Sequence, residues 1–333
     1  MSRIRVGVIG TGAMGAAHAR TLATWIAGAE VSQVFDPDGE RAKALGEEVG
    51  AVAASSPEAL IEADDVDAFV IASPDATHAD LAIAGIELGK PVMCEKPLAG
   101  NAADARRVVA AEVAAGRRLV QLGFCRRYDP AFLALKAAAG SLGEARLVHA
   151  SHRNATNHTS VDDTTLITGS MIHELDTLPW LLDQPLTGIR VESPLAEGFR
   201  DPQLATLRLG SGTLASVEVF VNARYGYDVQ CEIVGTAGTA SLAPRADVTL
   251  RAAGVAGGVV GSDGTAHFAD AYRLELAAWV GWAGAGASDW TGPDAWDGYL
   301  ANLAAAAGVR SLASGEWESV VPEERPALYG GSA

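Results

Sequence analysis

Short apolar runs alternate with helical segments along the first part of the chain. Runs rich in β-branched and aliphatic residues lie at residues 4–9, 31–35, 52–54, 67–72, 91–94 and 119–122. Segments of helical composition lie between them, at residues 13–25, 40–48, 57 onward, 77–88 and 101–115. Strands that are apolar throughout and alternate with helices are typical of a parallel, doubly wound sheet. The pattern predicts a first α/β domain over residues 1–123.

The pattern changes after residue 124. The helices predicted there lie at residues 130–139, 173–182, 271–282 and 295–312, and the strands at 145–151, 204–209, 213–221 and 227–234. A polar, irregular stretch at 154–165 separates the first strand from the second helix. Strands with alternating apolar positions, joined by Gly-rich turns, are typical of an antiparallel or mixed sheet. Residues 124–333 are therefore predicted to form a second α/β domain with a large, mostly antiparallel open sheet.

The composition argues against several kinds of partner. The chain has 333 residues, 49% of them hydrophobic, and a formal net charge of −16. Such a charge argues against nucleic acid, because binding polyphosphate needs clustered Lys and Arg. Cys94, Cys125 and Cys231 show no metal-ligand spacing, so we expect no metal site and reduced thiols in the cytoplasm. No run approaches the roughly 20 apolar residues of a membrane span, so no membrane partner is expected.

A glycine-rich turn follows the first predicted strand. Gly10, Gly12 and Gly15, with Ala13 and Met14 before the last glycine, form a G-x-G-x-x-G pattern that opens a predicted helix. In that context the glycines permit a sharp turn, close approach to a pyrophosphate and tight helix–strand packing. Asp36 follows the second strand, 21 residues after Gly15, where a carboxylate binds ribose hydroxyls and repels a 2′-phosphate. The motif predicts a Rossmann domain that binds NAD rather than NADP.

Two further positions carry titratable side chains in a suitable context. Lys96 lies in Glu95-Lys96-Pro97, just beyond the fifth strand, at the edge where open α/β sheets bind ligands. It is either a solvated surface charge or a catalytic group whose charged form a nearby oxidised nicotinamide disfavours. His173 begins a helix and shares a face with Asp176. It either borders the core or acts as a general base on a substrate hydroxyl.

Several strings in the sequence resemble the Gfo/Idh/MocA oxidoreductase family, and inositol dehydrogenases within it in particular. They are residues 72–78 (Ala-Ser-Pro-Asp-Ala-Thr-His), 95–97, 123–129, 149–154, 171–176 with Trp180, 225–228 and 291–299. The resemblance implies a cis Lys96–Pro97 bond, a catalytic Lys96, His173 as proton acceptor and a homotetramer. It also implies cofactor contacts from Ser73, Pro74, His78, Glu95 and Lys96, and substrate contacts from Arg126, His152, Asn154 and Tyr227.

One position departs from the family pattern. Inositol dehydrogenases of the family usually carry an Asp four residues before the catalytic His, and this chain has Gly169 there. The expected activity is NAD-dependent oxidation of a ring hydroxyl of an inositol, a related cyclitol or an aminocyclitol. Two alternatives remain open: reduction of a keto-sugar or sugar nucleotide on the same scaffold, and a regulatory protein that binds NAD without turnover.

Overall fold

The structure, a computed structural model, describes residues 3–156, 161–243, 249–252, 254–258, 260–288 and 290–330. Its strands are β1 (Ile4–Ile9), β2 (Ala29–Phe35), β3 (Val52–Ala53), β4 (Ala68–Ile71), β5 (Val92–Cys94), β6 (Val120–Leu122), β7 (Ala145–Arg153), β8 (Leu186–Glu192), β9 (Gln203–Leu209), β10 (Leu214–Phe220), β11 (Asp228–Gly235), β12 (Gly238–Ser241), β13 (Thr249–Ala252), β14 (Val255–Gly258) and β15 (Glu318–Ser319). Its α-helices are α1 (Ala13–Thr24), α2 (Gly39–Val49), α3 (Pro57–Glu62), α4 (His78–Glu87), α5 (Ala102–Ala115), α6 (Pro130–Ala139), α7 (Asp163–Thr165), α8 (Ile172–Leu182), α9 (Gly264–His267), α10 (Ala269–Gly284) and α11 (Ala295–Ser314).

The chain divides into two compact units. The first consists of Met1–Tyr128, Asp270–Asn302 and Pro322–Ala333, and the second of Asp129–Ala269 and Leu303–Val321. The sequence predicts domains at residues 1–123 and 124–333, and that division remains a proposal. Within the described residues, no helix is both long and apolar enough to cross a bilayer.

The first unit is built on a parallel sheet of six strands. The strand order is β3-β2-β1-β4-β5-β6, and neighbouring strands in this sheet pair in parallel. Its central strands are buried on both faces: β4 and β5 are buried at every position. This explains why these strands appear in the sequence as continuous apolar runs. The predicted Rossmann fold is confirmed, and the carboxyl ends of its strands meet at one edge.

Residues from late in the chain complete the core of the first unit. Trp279 on α10 is fully buried, and the Tyr329 hydroxyl donates a 2.5 Å hydrogen bond to Glu112 on α5. The Leu122 N–H donates to the Pro293 carbonyl at 3.1 Å. These contacts join segments more than 150 residues apart, so no local pattern in the sequence indicates them.

The second unit contains a mixed sheet of seven strands in the order β12-β11-β7-β10-β9-β8-β15. Among the described residues, β7 and β10 pair in parallel, and the other neighbouring strands of this sheet pair antiparallel. Burial alternates along β9 and β10, as expected when one face of a sheet packs on a core. The predicted mostly antiparallel sheet is confirmed. Residues 157–160 of the predicted irregular stretch lie outside the described residues.

Candidate active site

The glycine-rich turn lies between β1 and α1. Gly10 has a positive φ of 92°, and a Cβ there would lie 2.5 Å from the Ala72 backbone, so only glycine fits. Gly15 contacts the Gly10 carbonyl so closely that a side chain there would collide with it. Gly12 is different, since a Cβ on it would meet no atom within 4 Å. Packing therefore explains the first and third glycines, whereas close approach of a ligand explains the second.

The N-terminus of α1 offers backbone donors beside this turn. Gly12 is its N-cap, and no side chain among the described residues caps it or places an acidic group in its first turn. The first N–H groups of such a helix have no partner within the helix and carry partial positive charge. They suit the oxygens of a pyrophosphate, so the turn fits the dinucleotide that the sequence predicts.

Asp36, at the end of β2, is held by several hydrogen bonds. Its Oδ2 accepts from the N–H and hydroxyl of Thr11 at 2.8 and 3.0 Å, and its Oδ1 accepts from the Asp38 N–H at 2.9 Å and Arg41 at 2.6 Å. Burial disfavours the charge, but the bonds from Arg41 and Thr11 outweigh it and hold the pKa of Asp36 below its usual range. The sequence indicated Asp36 but not Arg41, which lies in the first turn of α2.

Lys96 follows β5 at the same edge of the sheet. The cis Lys96–Pro97 bond that the resemblance implies is present. Behind it, the buried Glu95 carboxylate lies 2.6 Å from Nε2 of His18 on α1 and accepts the Lys96 backbone N–H at 3.2 Å. Burial alone would raise the pKa of Glu95, but His18 and Lys96 lower it below its usual value. Glu95 thus remains an anion next to Lys96.

A second buried carboxyl group, Glu275 on α10, lies near Glu95. Its side chain is fully buried, and neither carboxyl oxygen has a hydrogen-bond partner among the described residues. Burial, and then the charge of Glu95, raise the pKa of Glu275 well above its usual value. Neither Glu275 nor His18 is predicted from the sequence. Such a residue could be found in the sequence as a titratable side chain on the buried face of a helix. His18, for example, shares a face of α1 with the buried Gly15 and Leu22.

His78 begins α4 and is almost completely buried. Its Nδ1 lies 2.7 Å from the Pro97 carbonyl oxygen, and its Nε2 lies 2.8 Å from the Ser73 carbonyl oxygen. The Ser73 hydroxyl contacts that of Thr77 at 2.6 Å, and Pro74 lies between them as the N-cap of a short 3₁₀ turn. The predicted cofactor residues of the first unit therefore follow the carboxyl ends of β1, β2, β4 and β5.

The second unit brings the predicted proton acceptor, His173, together with two of the predicted substrate residues, His152 and Tyr227. The ring of His152 on β7 contacts the ring of His173 on α8 edge-on at 5.9 Å between centroids. Tyr227 contacts His152 in the same manner at 5.8 Å, and its hydroxyl lies 3.5 Å from His152 Nε2. We call His152, His173 and Tyr227 the ring cluster. It places two imidazoles and a phenol, all able to exchange protons with hydroxyl groups, side by side.

Two residues without a predicted role contact the ring cluster. The buried Glu174 carboxylate lies 3.5 Å from His152 Nδ1, and the His267 ring lies 5.2 Å from that of Tyr227. Asn154 follows β7 two residues after His152, and its side-chain oxygen is buried without a hydrogen-bond partner among the described residues. Arg126, also a predicted substrate residue, is 2% exposed in a 3₁₀ turn of the first unit.

Gly169 lies in a π-helical turn, Leu166–Met171, immediately before α8. A Cβ added to it would meet no atom within 4 Å, so a β-carbon fits there without collision. Residues four apart on a helix share a face, which places position 169 toward His173. Within the described part of the chain, no group of three or more His, Cys, Asp or Glu side chains could hold a metal ion.

Comparison with known families gives two matches. The oxidoreductase family with an NAD-binding Rossmann fold, GFO/IDH/MocA, matches residues 4–124. The GFO/IDH/MocA C-terminal domain matches residues 134–241. Together these matches cover more than half of the chain.

Curated relatives and solved structures agree with these matches. Inositol 2-dehydrogenase 1 of Saccharopolyspora erythraea is 47% identical, over 98% of this chain and 99% of the relative. Inositol 2-dehydrogenase of Paracoccus denitrificans is 43% identical, over 98% and 99%. The crystal structure of myo-inositol dehydrogenase from Lactobacillus casei in complex with NAD(H) and myo-inositol is similar with a TM-score of 0.94 and 34% identity, over 98% of this chain and 100% of that one.

Proposed function

The chain belongs to the Gfo/Idh/MocA oxidoreductase family, and on that premise we propose that it oxidises a ring hydroxyl of inositol or a related cyclitol with NAD⁺. One observation carries the proposal: the glycine-rich turn, Asp36 and Lys96 all follow strands at the carboxyl edge of a single parallel sheet. That edge is where open α/β sheets bind ligands. The similarity to inositol 2-dehydrogenases supports the choice of substrate class.

The reaction removes a hydride and a proton from a secondary alcohol and leaves a ketone, NADH and H⁺. When bound, the nicotinamide of NAD⁺ accepts the hydride. We propose that His173 takes the hydroxyl proton as general base, and that Lys96, whose backbone N–H bonds to the Glu95 anion, helps to move it. The other substrate hydroxyls would bind Arg126, His152, Asn154 and Tyr227. Buried donors and acceptors of this kind reject analogues that lack the matching hydroxyl.

A substrate panel tests the proposal. The purified protein is mixed with NAD⁺ and myo-inositol, scyllo-inositol, an aminocyclitol or glucose, and NADH absorbance is followed. We expect turnover with at least one cyclitol and much less with glucose. Reduction of a keto-sugar by NADH without cyclitol oxidation would favour the reductase alternative. Binding of NAD⁺ without turnover of any compound would favour a regulatory protein.

The proposed role of Asp36 predicts cofactor selectivity. NAD⁺ is expected to bind at least ~10-fold more tightly than NADP⁺, about 1.4 kcal/mol, because a 2′-phosphate would meet the Asp36 carboxylate. Titration with both cofactors, followed by intrinsic fluorescence, measures the ratio. In Asp36→Ala the ratio should fall, since Arg41 loses its bond to the carboxylate. Equal affinities in the unmodified protein would contradict the proposed role.

The space beside Gly169 allows a test of the proton transfer. A carboxylate that bonds to an imidazole fixes its tautomer and stabilises the imidazolium. If the chain descends from a cyclitol dehydrogenase that lost this carboxylate, Gly169→Asp should raise kcat on myo-inositol at least ~10-fold, which is ~1.4 kcal/mol of barrier. If Gly169 instead makes room for a substituent such as an amino group, the same change should leave turnover of myo-inositol low and suppress the native reaction. Gly169→Asn, which adds similar bulk without charge, is the matched control.

Unchanged rates of the Gly169→Asp variant on every substrate would mean that position 169 does not act on His173.

Two further expectations belong to the proposal as well. They are a homotetramer, which light scattering tests, and a cytoplasmic location, which cell fractionation tests.

A further inference from the structure

The two bonds of His78 restrict its protonation state. Its ring nitrogens lie 2.7 and 2.8 Å from carbonyl oxygens of Pro97 and Ser73, and the side chain is 1% exposed. A backbone carbonyl can only accept a hydrogen bond. Both ring nitrogens must therefore donate if both contacts are hydrogen bonds.

A neutral imidazole cannot satisfy this arrangement. It has one N–H, so its other nitrogen would present a lone pair to a carbonyl lone pair at hydrogen-bond distance. In a buried site, an unsatisfied polar atom costs about 1–3 kcal/mol. We propose that His78 is an imidazolium cation that ties the turn after β4 to the Lys96–Pro97 turn and thereby positions Lys96. The spectroscopic part of this inference stands alone, whereas the positioning of Lys96 for catalysis rests on the proposed function.

The surroundings of His78 act in both directions on its charge. Burial disfavours the cation, and so does its place at the start of α4, where the helix dipole is positive. Cys94 on β5 and the carbonyls of Pro97 and Ser73 favour it. The balance raises the pKa of His78 to about 10.

The bonds of His78 connect three turns of the proposed cofactor site. Gly10 packs directly on the backbone of Ala72 and Ser73, which join the glycine-rich turn to the turn after β4. His78 extends this contact from Ser73 to Pro97, next to Lys96. On the other side of Lys96, His18 contacts the Glu95 side chain. His78 is thus a positioning residue, with no contact of its own to the reacting atoms in this proposal.

Solid-state ¹⁵N spectroscopy of the full chain, labelled at histidine and saturated with NAD⁺, tests the charge. A His78→Gln sample assigns the signal by difference. We expect both His78 nitrogens to carry a proton from about pH 6 to about pH 9, a range in which a histidine with its ordinary pKa of ~6.5 becomes neutral. A ring with one protonated nitrogen at pH 7 would overturn the inference.

Kinetics test the positioning. His78→Phe keeps a ring of similar size and removes both donors, and His78→Gln keeps an amide donor. We expect kcat on the cyclitol to fall ~10²-fold in the Phe variant, as for a misplaced catalytic group, and less in the Gln variant, with KM within threefold of the original in both. A Phe variant that retains kcat within threefold would overturn the positioning role.

The two proposals fail in distinguishable ways. If His78 is doubly protonated but the protein oxidises no cyclitol, the imidazolium is supported and the proposed function is refuted. If His78 is neutral in an active dehydrogenase, the function is supported and the imidazolium is refuted. If His78→Phe does not fold, the spectrum of the unmodified protein still decides the charge.

Discussion

Replacing Lys96 with Met is expected to lower kcat at least ~10²-fold while NAD⁺ affinity changes little. Methionine keeps most of the side chain's bulk but removes its charge and its proton. The loss of a positioned acid or base costs 10²- to 10⁴-fold in rate. The Glu95 carboxylate, which accepts the Lys96 backbone N–H, stays buried in the variant, so its contact with His18 should keep the turn in place.

Steady-state kinetics and fluorescence titration with NAD⁺ measure the two effects of this change separately. Lys43→Met is the matched control, because Lys43 is an exposed residue on α2 and the substitution is the same. The control should keep both kcat and NAD⁺ affinity. Near-normal kcat in Lys96→Met would show that Lys96 is a surface charge, the other interpretation of its sequence context.

The second large effect concerns stability and pH at Glu275. Its raised pKa means that the folded protein keeps a proton that the unfolded chain releases above about pH 4.3. The folded state binds more protons, so the stability that Glu275 contributes is lost as pH rises above that value, by up to ~1.4 kcal/mol per pH unit. Glu275→Gln removes the titration. The variant should therefore gain stability relative to the unmodified protein as pH rises from about 5 to about 8.

Urea unfolding at several pH values measures this difference. The gap between Glu275→Gln and the unmodified protein should widen as the pH rises over that range. Glu87→Gln, at an exposed position on α4, is the control and should follow the unmodified protein at each pH. If the Glu275→Gln and unmodified curves stay parallel, Glu275 carries its charge in the folded state and the assigned protonation is wrong.

The sequence predicts the sheet of the first unit well because its strands need no distant information. Each is a short apolar run ended by a turn signal, and the observed bounds differ from the predicted ones by two residues or fewer. The second sheet is predicted less completely. The pattern does not predict β8, where Gly188 interrupts a run of only seven residues. It also misses β15, whose two residues pair with β8, a strand more than 125 residues earlier in the chain.

The candidate site shows the same limit. The glycine-rich turn and Asp36 are recognisable because their spacing follows from the geometry of one strand–helix–strand unit. His18 and Glu275 lie in ordinary helical sequence, and their roles depend on Glu95, 77 residues from His18 and 180 from Glu275. Arg41 could have been found, since a residue in the first turn of the helix after Asp36 can reach back to it.

The discontinuous first unit has a consequence for how the protein is made. A ribosome releases residues 1–128 long before residues 270–302, which supply Trp279 and the Pro293 carbonyl to the same core. Until then, apolar surface on the nascent sheet stays uncovered, a condition that favours aggregation. Stalled or truncated chains ending before residue 270 should therefore depend on chaperones. A nascent-chain protease assay should show protection of residues 1–128 only after the late helices have left the exit tunnel.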